Sequence, residues 1–435
     1  MIKRKKIILV PYPAQGHVTP ILKLAAVLSN LSFRPVIVVP EFIQRRISPR
    51  IDAGIICLPI SDGLPEDAPR DFFAVERAME ENMPPALESI IRAEEDGQIA
   101  CLVADLLASW SIDVARRCGV PAAGFWPAMH ATYRLIAAVP QLIQTGLISE
   151  NGLPRNPNAP IKLSSMDPIF STNDLPWLIG SLSSRIRRFR FWTRTLHRAE
   201  SLRCILVNSF PLESPSNINP MQQVLEIGPI IMQPATVANA TFWEEDFTCL
   251  DWLDEHDVGS VVYVSFGSWV GPIDDGKIKT LALTLEALGL SFVWVLGHAW
   301  RRGLPLGYAA RVATHGKIVS WAPQTEVLQH PAVGFYICHC GWNSTMEAIL
   351  CKKPLLCYPI AGDQFLNCRY IVDVWKIGVH IKGFDFEEVK NGIEWIVEND
   401  EVSTRIEKLN EKIFGNDGSF KAMSNFSTFV EDINM

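Results

Sequence analysis

The residues from Trp321 to Gln364 concentrate side chains suited to a phosphorylated, sugar-bearing ligand. Val333 to Cys338 is an apolar run of strand length, and Thr345 to Leu350 has helical spacing. Between them lies His339-Cys340-Gly341-Trp342-Asn343-Ser344. The pattern predicts a strand, a glycine turn, and a helix beginning at Asn343 or Ser344, both good N-cap residues. A helix start presents backbone N–H groups and a positive dipole end, a seat for phosphate. His339, Asn343 and Ser344 add side-chain donors at the same place. Glu347 comes four residues after Asn343 and three after Ser344, on the same helix face. A carboxylate there repels phosphate but can accept from the paired hydroxyls of a ribose. Trp321 offers a flat face to a base. Asp363 and Gln364 come after a second strand, Leu355 to Pro359. An acceptor-only carboxylate beside an amide that both donates and accepts suits a polyhydroxy group.

Taken without a gap, this stretch resembles the signature box of the plant secondary-product glycosyltransferases, within the UDP-dependent glycosyltransferase superfamily. The resemblance implies that Trp321 stacks on uracil, Gln324 lies near the nucleoside and Glu347 holds the ribose. It implies that His339, Asn343 and Ser344 hold the diphosphate, and that Trp342, Asp363 and Gln364 face the transferred sugar. Ala322 and Gly341 belong to the same donor-binding set. Glutamine at the last position is associated with UDP-glucose, histidine there with UDP-galactose. Cys338 stands where the family often has Thr or Ser.

A second candidate lies near the start of the chain. Lys5 to Tyr12 reads as a buried strand, Pro13 to His17 as a loop, Val18 to Leu31 as a helix, and Pro35 to Pro40 as another strand. This opening points to a doubly wound domain, whose ligands collect at the carboxyl ends of the strands. His17 sits at such an end, and Asp105 ends another apolar strand, Ile99 to Ala104. A histidine at a helix start is commonly structural, and an aspartate after a strand is commonly an N-cap. By resemblance, Pro13-Ala14-Gln15-Gly16-His17 carries the family's catalytic histidine. Asp105 would then pair with it, as the carboxylate does in a catalytic triad.

The remaining features bound the reading. At 435 residues and 48% hydrophobic content, two domains are the natural expectation. The net charge of −7 argues against nucleic acid as a partner. Lys3 to Lys6 before Ile7 to Val10 imitates a signal peptide, but the apolar run stops at Pro11. No run reaches transmembrane length. The ten cysteines include no C-x-x-C pair and read as reduced thiols, with no metal. Gly271 to Lys277 has P-loop spacing, but Ile278 stands where Ser or Thr would hold magnesium. No G-x-G-x-x-G or G-x-S-x-G occurs, which disfavours dehydrogenase and hydrolase readings. Ser183 to Arg203 carries Arg185, Arg187, Arg188, Arg190 and Arg194 among Phe189, Phe191 and Trp192. It reads as a helix with a solvated basic face, the sharper alternative being a rim for an anionic acceptor or membrane surface.

The second half opens at Asp251, and Ser260 to Phe266 is its first strand, with Gly267-Ser268 after it. By resemblance Ser268 also reaches the diphosphate. The expectation is an α/β chain of GT-B architecture, with two facing Rossmann-like domains. Residues 1–235 form the acceptor domain, 236–250 a linker and 251–418 the UDP-sugar domain. A final helix, 419–435, returns to the first domain. The implied function is transfer of glucose from UDP-glucose to a hydroxyl of a small lipophilic acceptor, with inversion and with His17 as base. The alternatives are a nucleotide-sugar-binding protein without turnover and a transferase using another UDP-sugar. The enzyme is expected to need no cofactor and to act as a cytoplasmic monomer.

Overall fold

The computed structural model describes residues 4–434 apart from 32, 52–53, 96, 166, 212–221, 231–241 and 269–272. The linker expected at 236–250 thus lies partly outside the described residues.

The chain folds as two compact units. The first comprises residues 1–141, 187–242 and 419–435. Its sheet has seven strands: β1 (Lys6–Val10), β2 (Arg34–Pro40), β3 (Ile56–Ile60), β4 (Ile99–Asp105), β5 (Ala122–Trp126), β6 (Cys204–Val207) and β7 (Gln223–Glu226). All pair in parallel, in the order β3-β2-β1-β4-β5-β6-β7. The central strands are near-continuous apolar runs because helices cover both faces of a parallel sheet. Helix Gln15–Asn30 buries Val18, Ile21, Leu24, Ala25 and Leu28 against β1 and β2, the stripe that helical spacing predicts.

The second unit comprises residues 142–186 and 243–418. Its strands are β8 (Val261–Ser265), β9 (Ser291–Val295), β10 (Gly316–Val319), β11 (Val333–Cys338), β12 (Leu355–Cys357) and β13 (Gly378–His380). They are parallel in the order β10-β9-β8-β11-β12-β13, the doubly wound arrangement. Register sets Ser265 level with Cys338, and Cys338 level with Cys357. The carboxyl ends of β8, β11 and β12 therefore form one even edge.

Three features differ from the sequence reading. Residues 142–186, expected in the first domain, group with the second unit, where Tyr370 donates to Asp167 at 2.5 Å. The last helix is Asn416–Asp432, so Gly418 lies inside it rather than in a break. A Cβ on Gly418 would sit 2.4 Å from the Ile413 carbonyl, so glycine permits the close approach that turns the chain here. Met129 to Leu147, whose sequence reads as an amphipathic helical stretch interrupted by Pro140, forms two helices, His130–Ala137 and Val139–Gln144, because proline at the second position suits a new helix start.

The last helix supplies Phe426 and Phe429 to the core of the first unit, beside Leu206 and Leu225. Phe429 is only 1% exposed. Truncating a buried phenylalanine loses transfer energy and leaves a cavity. Phe429→Ala is expected to lower stability by about 3–5 kcal/mol, read by urea denaturation. A change below about 1 kcal/mol would show that the helix end does not contribute to this core.

Candidate active site

In each sheet, strand order reverses beside the first strand, and ligands favour the carboxyl edge at that point. In the first unit the reversal lies between β1 and β4. His17 comes after β1, in the first turn of helix Gln15–Asn30, and Asp105 is the last residue of β4. The imidazole Nδ1 lies 2.7 Å from Asp105 Oδ2. The carboxylate also accepts from the N–H groups of Tyr12 (3.2 Å) and Leu107 (2.9 Å). Asp105 is thus an N-cap, as its position after a strand suggests, and at the same time the partner of His17. Its side chain is fully buried, whereas that of His17 is 21% exposed. With Nδ1 donating to the carboxylate, Nε2 is left as the basic nitrogen. The edge of the Tyr12 ring packs against the imidazole, centroids 5.2 Å apart.

A second histidine–carboxylate pair, His130 with Glu226, is equally short at 2.7 Å. Its imidazole side chain is only 9% exposed and stacks on Tyr133. Such a pair ties β7 to the helix it meets and gives a substrate little access. The arginine-rich helix, Leu182–Ala199, keeps Arg185, Arg187 and Arg190 on an exposed face, as expected, while its C-terminal arginines are engaged. Arg194 and Arg198 bridge Glu76 and Glu80 of helix Phe72–Glu81 and Asp113 of helix Trp110–Arg117 at 2.7–3.2 Å. Much of its positive charge is consumed in fixing helices to one another.

In the second unit the reversal lies between β8 and β11. Gly267 and Ser268 come after β8, and the His339–Ser344 turn after β11. The helix starts at Trp342 with Gly341 as N-cap, one to two residues earlier than predicted. Asn343 and Ser344 therefore belong to the first turn, whose N–H groups have no acceptors within the helix. The backbone seat is kept, while the capping role passes to glycine. His339 is 8% exposed, and burial pulls its pKa below the ordinary value, so it is neutral at neutral pH. Its Nε2 would meet a Cβ on Gly267 at 2.6 Å and one on Gly341 at 2.4 Å. Gly267 also has φ +77°. The ring is wedged between two backbones that only glycine lets come so close.

Gln324 opens helix Gln324–Gln329 and joins four elements. Its Nε2 donates to Ser344 Oγ at 2.9 Å and to Glu347 Oε2 at 2.5 Å. Its Oε1 accepts from the hydroxyls of Tyr263 on β8 and Tyr336 on β11, at 3.2 and 3.3 Å. Burial raises both phenol pKa values well above normal, so both remain donors. Gln324 thus orients Ser344 and Glu347. One face of Trp321 is stacked by Trp243, centroids 4.6 Å apart, and Ala322 is buried beside it. Trp342 is buried, at 4% exposed.

Asp363 occupies the N-cap position of helix Gln364–Arg369, yet its side chain makes no capping bond. Its Oδ2 accepts from Asn367 Nδ2, which also donates to the Cys340 carbonyl, each at 2.9 Å. Gln364 Oε1 accepts from the N–H groups of Ile360 and Ala361, both at 2.9 Å. Its carbonyl is therefore committed to its own loop. The expectation that this amide both donates and accepts towards a ligand is corrected: its acceptor is taken, and only the NH₂ group could answer one.

The P-loop spacing has no counterpart in the site. Asp274 caps helix Asp275–Ala287, and Lys277 donates to the Tyr358 hydroxyl at 2.6 Å, away from any glycine cradle. Gly271 itself lies outside the described residues.

A family model described as UDP-glucoronosyl and UDP-glucosyl transferase matches residues 185–412. UDP-glycosyltransferase 82A1 of Arabidopsis thaliana is 48% identical, over 99% of each chain. The chain belongs to the plant family 1 UDP-glycosyltransferases. Among solved structures, a UDP-glucose:anthocyanidin 3-O-glucosyltransferase in complex with UDP aligns over all of both chains, with 25% identity and TM-score 0.79. Os79 from O. sativa, also with UDP, aligns over 98% of this chain and 100% of its own, with 24% identity and TM-score 0.82. The architecture is GT-B, and the protein is a glycosyltransferase.

Sequence reasoning missed several residues that shape this UDP-glycosyltransferase site. Trp243 falls in the expected linker, although an exposed tryptophan beside a phenylalanine was a visible signal. Tyr263 and Tyr336 look like ordinary strand residues, and Asn367 like an ordinary helix residue. Their roles depend on partners from 4 to 61 positions away, which no local pattern reveals.

Gly267→Ala tests the wedge. Its Cβ must displace the His339 ring and tolerate a left-handed backbone. UDP affinity by calorimetry is expected to fall at least ~10-fold, about 1.4 kcal/mol, with far-UV circular dichroism retained. Unchanged affinity would mean that the ring and its loop do not touch the nucleotide.

Proposed function

We propose that this enzyme transfers glucose from UDP-glucose to a hydroxyl of a small lipophilic acceptor, by a single inverting displacement that gives a β-glycoside. The acceptor oxygen attacks the anomeric carbon as His17 Nε2 takes its proton, and the bond to the UDP oxygen breaks. The observation that carries this reading is the buried Asp105 carboxylate 2.7 Å from Nδ1 of a partly exposed His17. That carboxylate stabilises the imidazolium formed during transfer. An imidazole suits a general base at neutral pH.

The leaving diphosphate gains negative charge. The first turn of helix Trp342–Leu350, with Asn343 and Ser344, offers donors for it. Electrostatic stabilisation of this kind is typically worth about 3–4 kcal/mol per well-placed donor. Helix-dipole compensation supports chemistry without a metal. Glu347, held by Gln324, accepts from the ribose hydroxyls, and Trp321 presents its face to the uracil. An aromatic series supports a lipophilic acceptor. Tyr12, beside His17, neighbours Phe72 (6.5 Å), which neighbours Phe191 (5.1 Å), which neighbours Trp192 (5.6 Å).

No described helix is long and apolar enough to cross a membrane. Asn343-Ser344-Thr345 fits the glycosylation sequon, and a glycan on Asn343 would fill the phosphate seat. A cytosolic enzyme avoids that modification.

His17→Ala is expected to lower transfer by ~10²–10⁴-fold while leaving UDP affinity nearly unchanged. Wild-type turnover in the variant, measured with a hydroxyl acceptor, would remove His17 from the mechanism.

Glucose and galactose differ in the direction of one hydroxyl. Asp363 accepts and the Gln364 amide nitrogen donates, so the two together pair a specific set of hydroxyls. A site built this way strands its own polar groups when the wrong sugar enters. Competing UDP-glucose against UDP-galactose should give a kcat/KM preference of at least ~10-fold for glucose, about 1.4 kcal/mol. Equal consumption of both donors would refute the assignment.

A further inference from the structure

Cys338 ends β11 and Cys357 ends β12, directly opposite each other in register. Cys340 lies two residues beyond Cys338, with a left-handed φ of +63° that is unfavourable for any residue with a Cβ. The three Sγ atoms lie within 4.8 Å of one another, and all three residues are 0% exposed. Cys368, on helix Gln364–Arg369, places a fourth thiol in the neighbourhood of Cys340 and Cys357. His380 is level with Cys357 on the adjoining strand.

We propose that Cys338, Cys340 and Cys357 form a binding site for a thiophilic d¹⁰ cation of the zinc, cadmium and copper(I) type, each giving its thiolate sulfur as a ligand.

The geometry suits such an ion. Metal–sulfur bonds of ~2.3 Å place sulfurs about 3.8–4.0 Å apart in tetrahedral or trigonal shells. Thiols already within 4.8 Å reach that spacing by small side-chain rotations. Sulfur donors select soft cations over magnesium or calcium. A cavity of about 40 Å³ offers a path, since Cys368 and His380 line it together with Pro359 and Phe365. Binding displaces the thiol protons, so each ion that enters releases protons to solvent. The ion would join the ends of β11 and β12 to the Cys340 turn.

The test uses the full chain, reduced and desalted into metal-free buffer, titrated with Cd²⁺ alone. A thiolate-to-cadmium charge-transfer band is expected to saturate at one ion per chain, with proton release and a raised thermal midpoint. Cys338→Ser and Cys357→Ser should each weaken binding more than ~100-fold, beyond the effect of losing an outer-shell partner. The triple variant Cys57→Ser, Cys118→Ser, Cys351→Ser removes the half-exposed thiols and should keep the band and the stoichiometry. Cys338→Ala repeats the measurement should the serine variant fail to fold. Absence of the band in wild-type protein would overturn the site, as would its loss in the triple variant or its survival in both strand variants. No donor or acceptor is present, so failure here leaves the transferase reading untouched.

Discussion

The constraint on which the rest depends is the pairing of a first strand with a later one that leads away to the other side of the sheet. In each unit, β1 with β4 and β8 with β11, the chain leaves the pair in opposite directions. The connections cannot both cover the carboxyl edge between them, and a crevice results. Backbone groups that leave a strand there must find partners or face a ligand. In the first unit the Asp105 carboxylate takes the N–H groups of Tyr12 and Leu107 and so closes the edge itself. Its remaining capacity is spent on His17. In the second unit the edge is left to the turn after β11, with glycines at 267 and 341 so that the His339 ring can fit. One topology thus holds a histidine–carboxylate pair in one unit and a glycine-flanked helix start in the other, according to which side chains arrive at the crevice.

The second site is held together by polar groups that already satisfy one another. Gln324 spends all its capacity on Ser344, Glu347, Tyr263 and Tyr336. In a half-buried setting such a network is stiff, because breaking one bond strands the others. Preorganisation matters for a leaving diphosphate, since donors that need not reorient stabilise developing charge most effectively. The depressed pKa of His339 fits the same logic. A neutral ring brings no charge that must be desolvated beside two glycines.

Legibility in the sequence tracked burial. The inner strands of both sheets are readable, because parallel strands covered on both faces are continuous apolar runs. The edge strands β3 and β7 are not. Ile56–Ile60 contains a proline and is mostly half-buried, and Gln223–Glu226 is short with polar ends. An edge has less to bury and so writes a weaker pattern. The arginine-rich helix is legible only in part. Arg194 and Arg198 look solvated because their acidic partners lie 85 to 118 residues away. Residues 142–186 carry no boundary signal at all, since membership of a unit is decided by contacts made after folding. For the site, residue types were legible and roles were not. The box identified Gln324, Asp363 and Gln364, but which of their atoms remain available depends on the folded surroundings.

Gln364 makes that difference concrete. An amide in water is both donor and acceptor, and from sequence it can answer a hydroxyl in either sense. Here the chain uses the carbonyl to fix the Ile360–Ala361 turn, and only the NH₂ group is left. Asp363, likewise, gives one carboxylate oxygen to Asn367 and through it is tied to the Cys340 turn. The Gln364 carbonyl and one Asp363 oxygen are thus already engaged, so neither residue offers a ligand the full set of bonds its type allows. Two groups of opposite sense, fixed to the same loop, read a pattern of hydroxyls where two adaptable groups would tolerate several. Specificity of this kind comes from the options the loop has removed as much as from those it offers, because a group with no alternative partner is the one that penalises the wrong ligand.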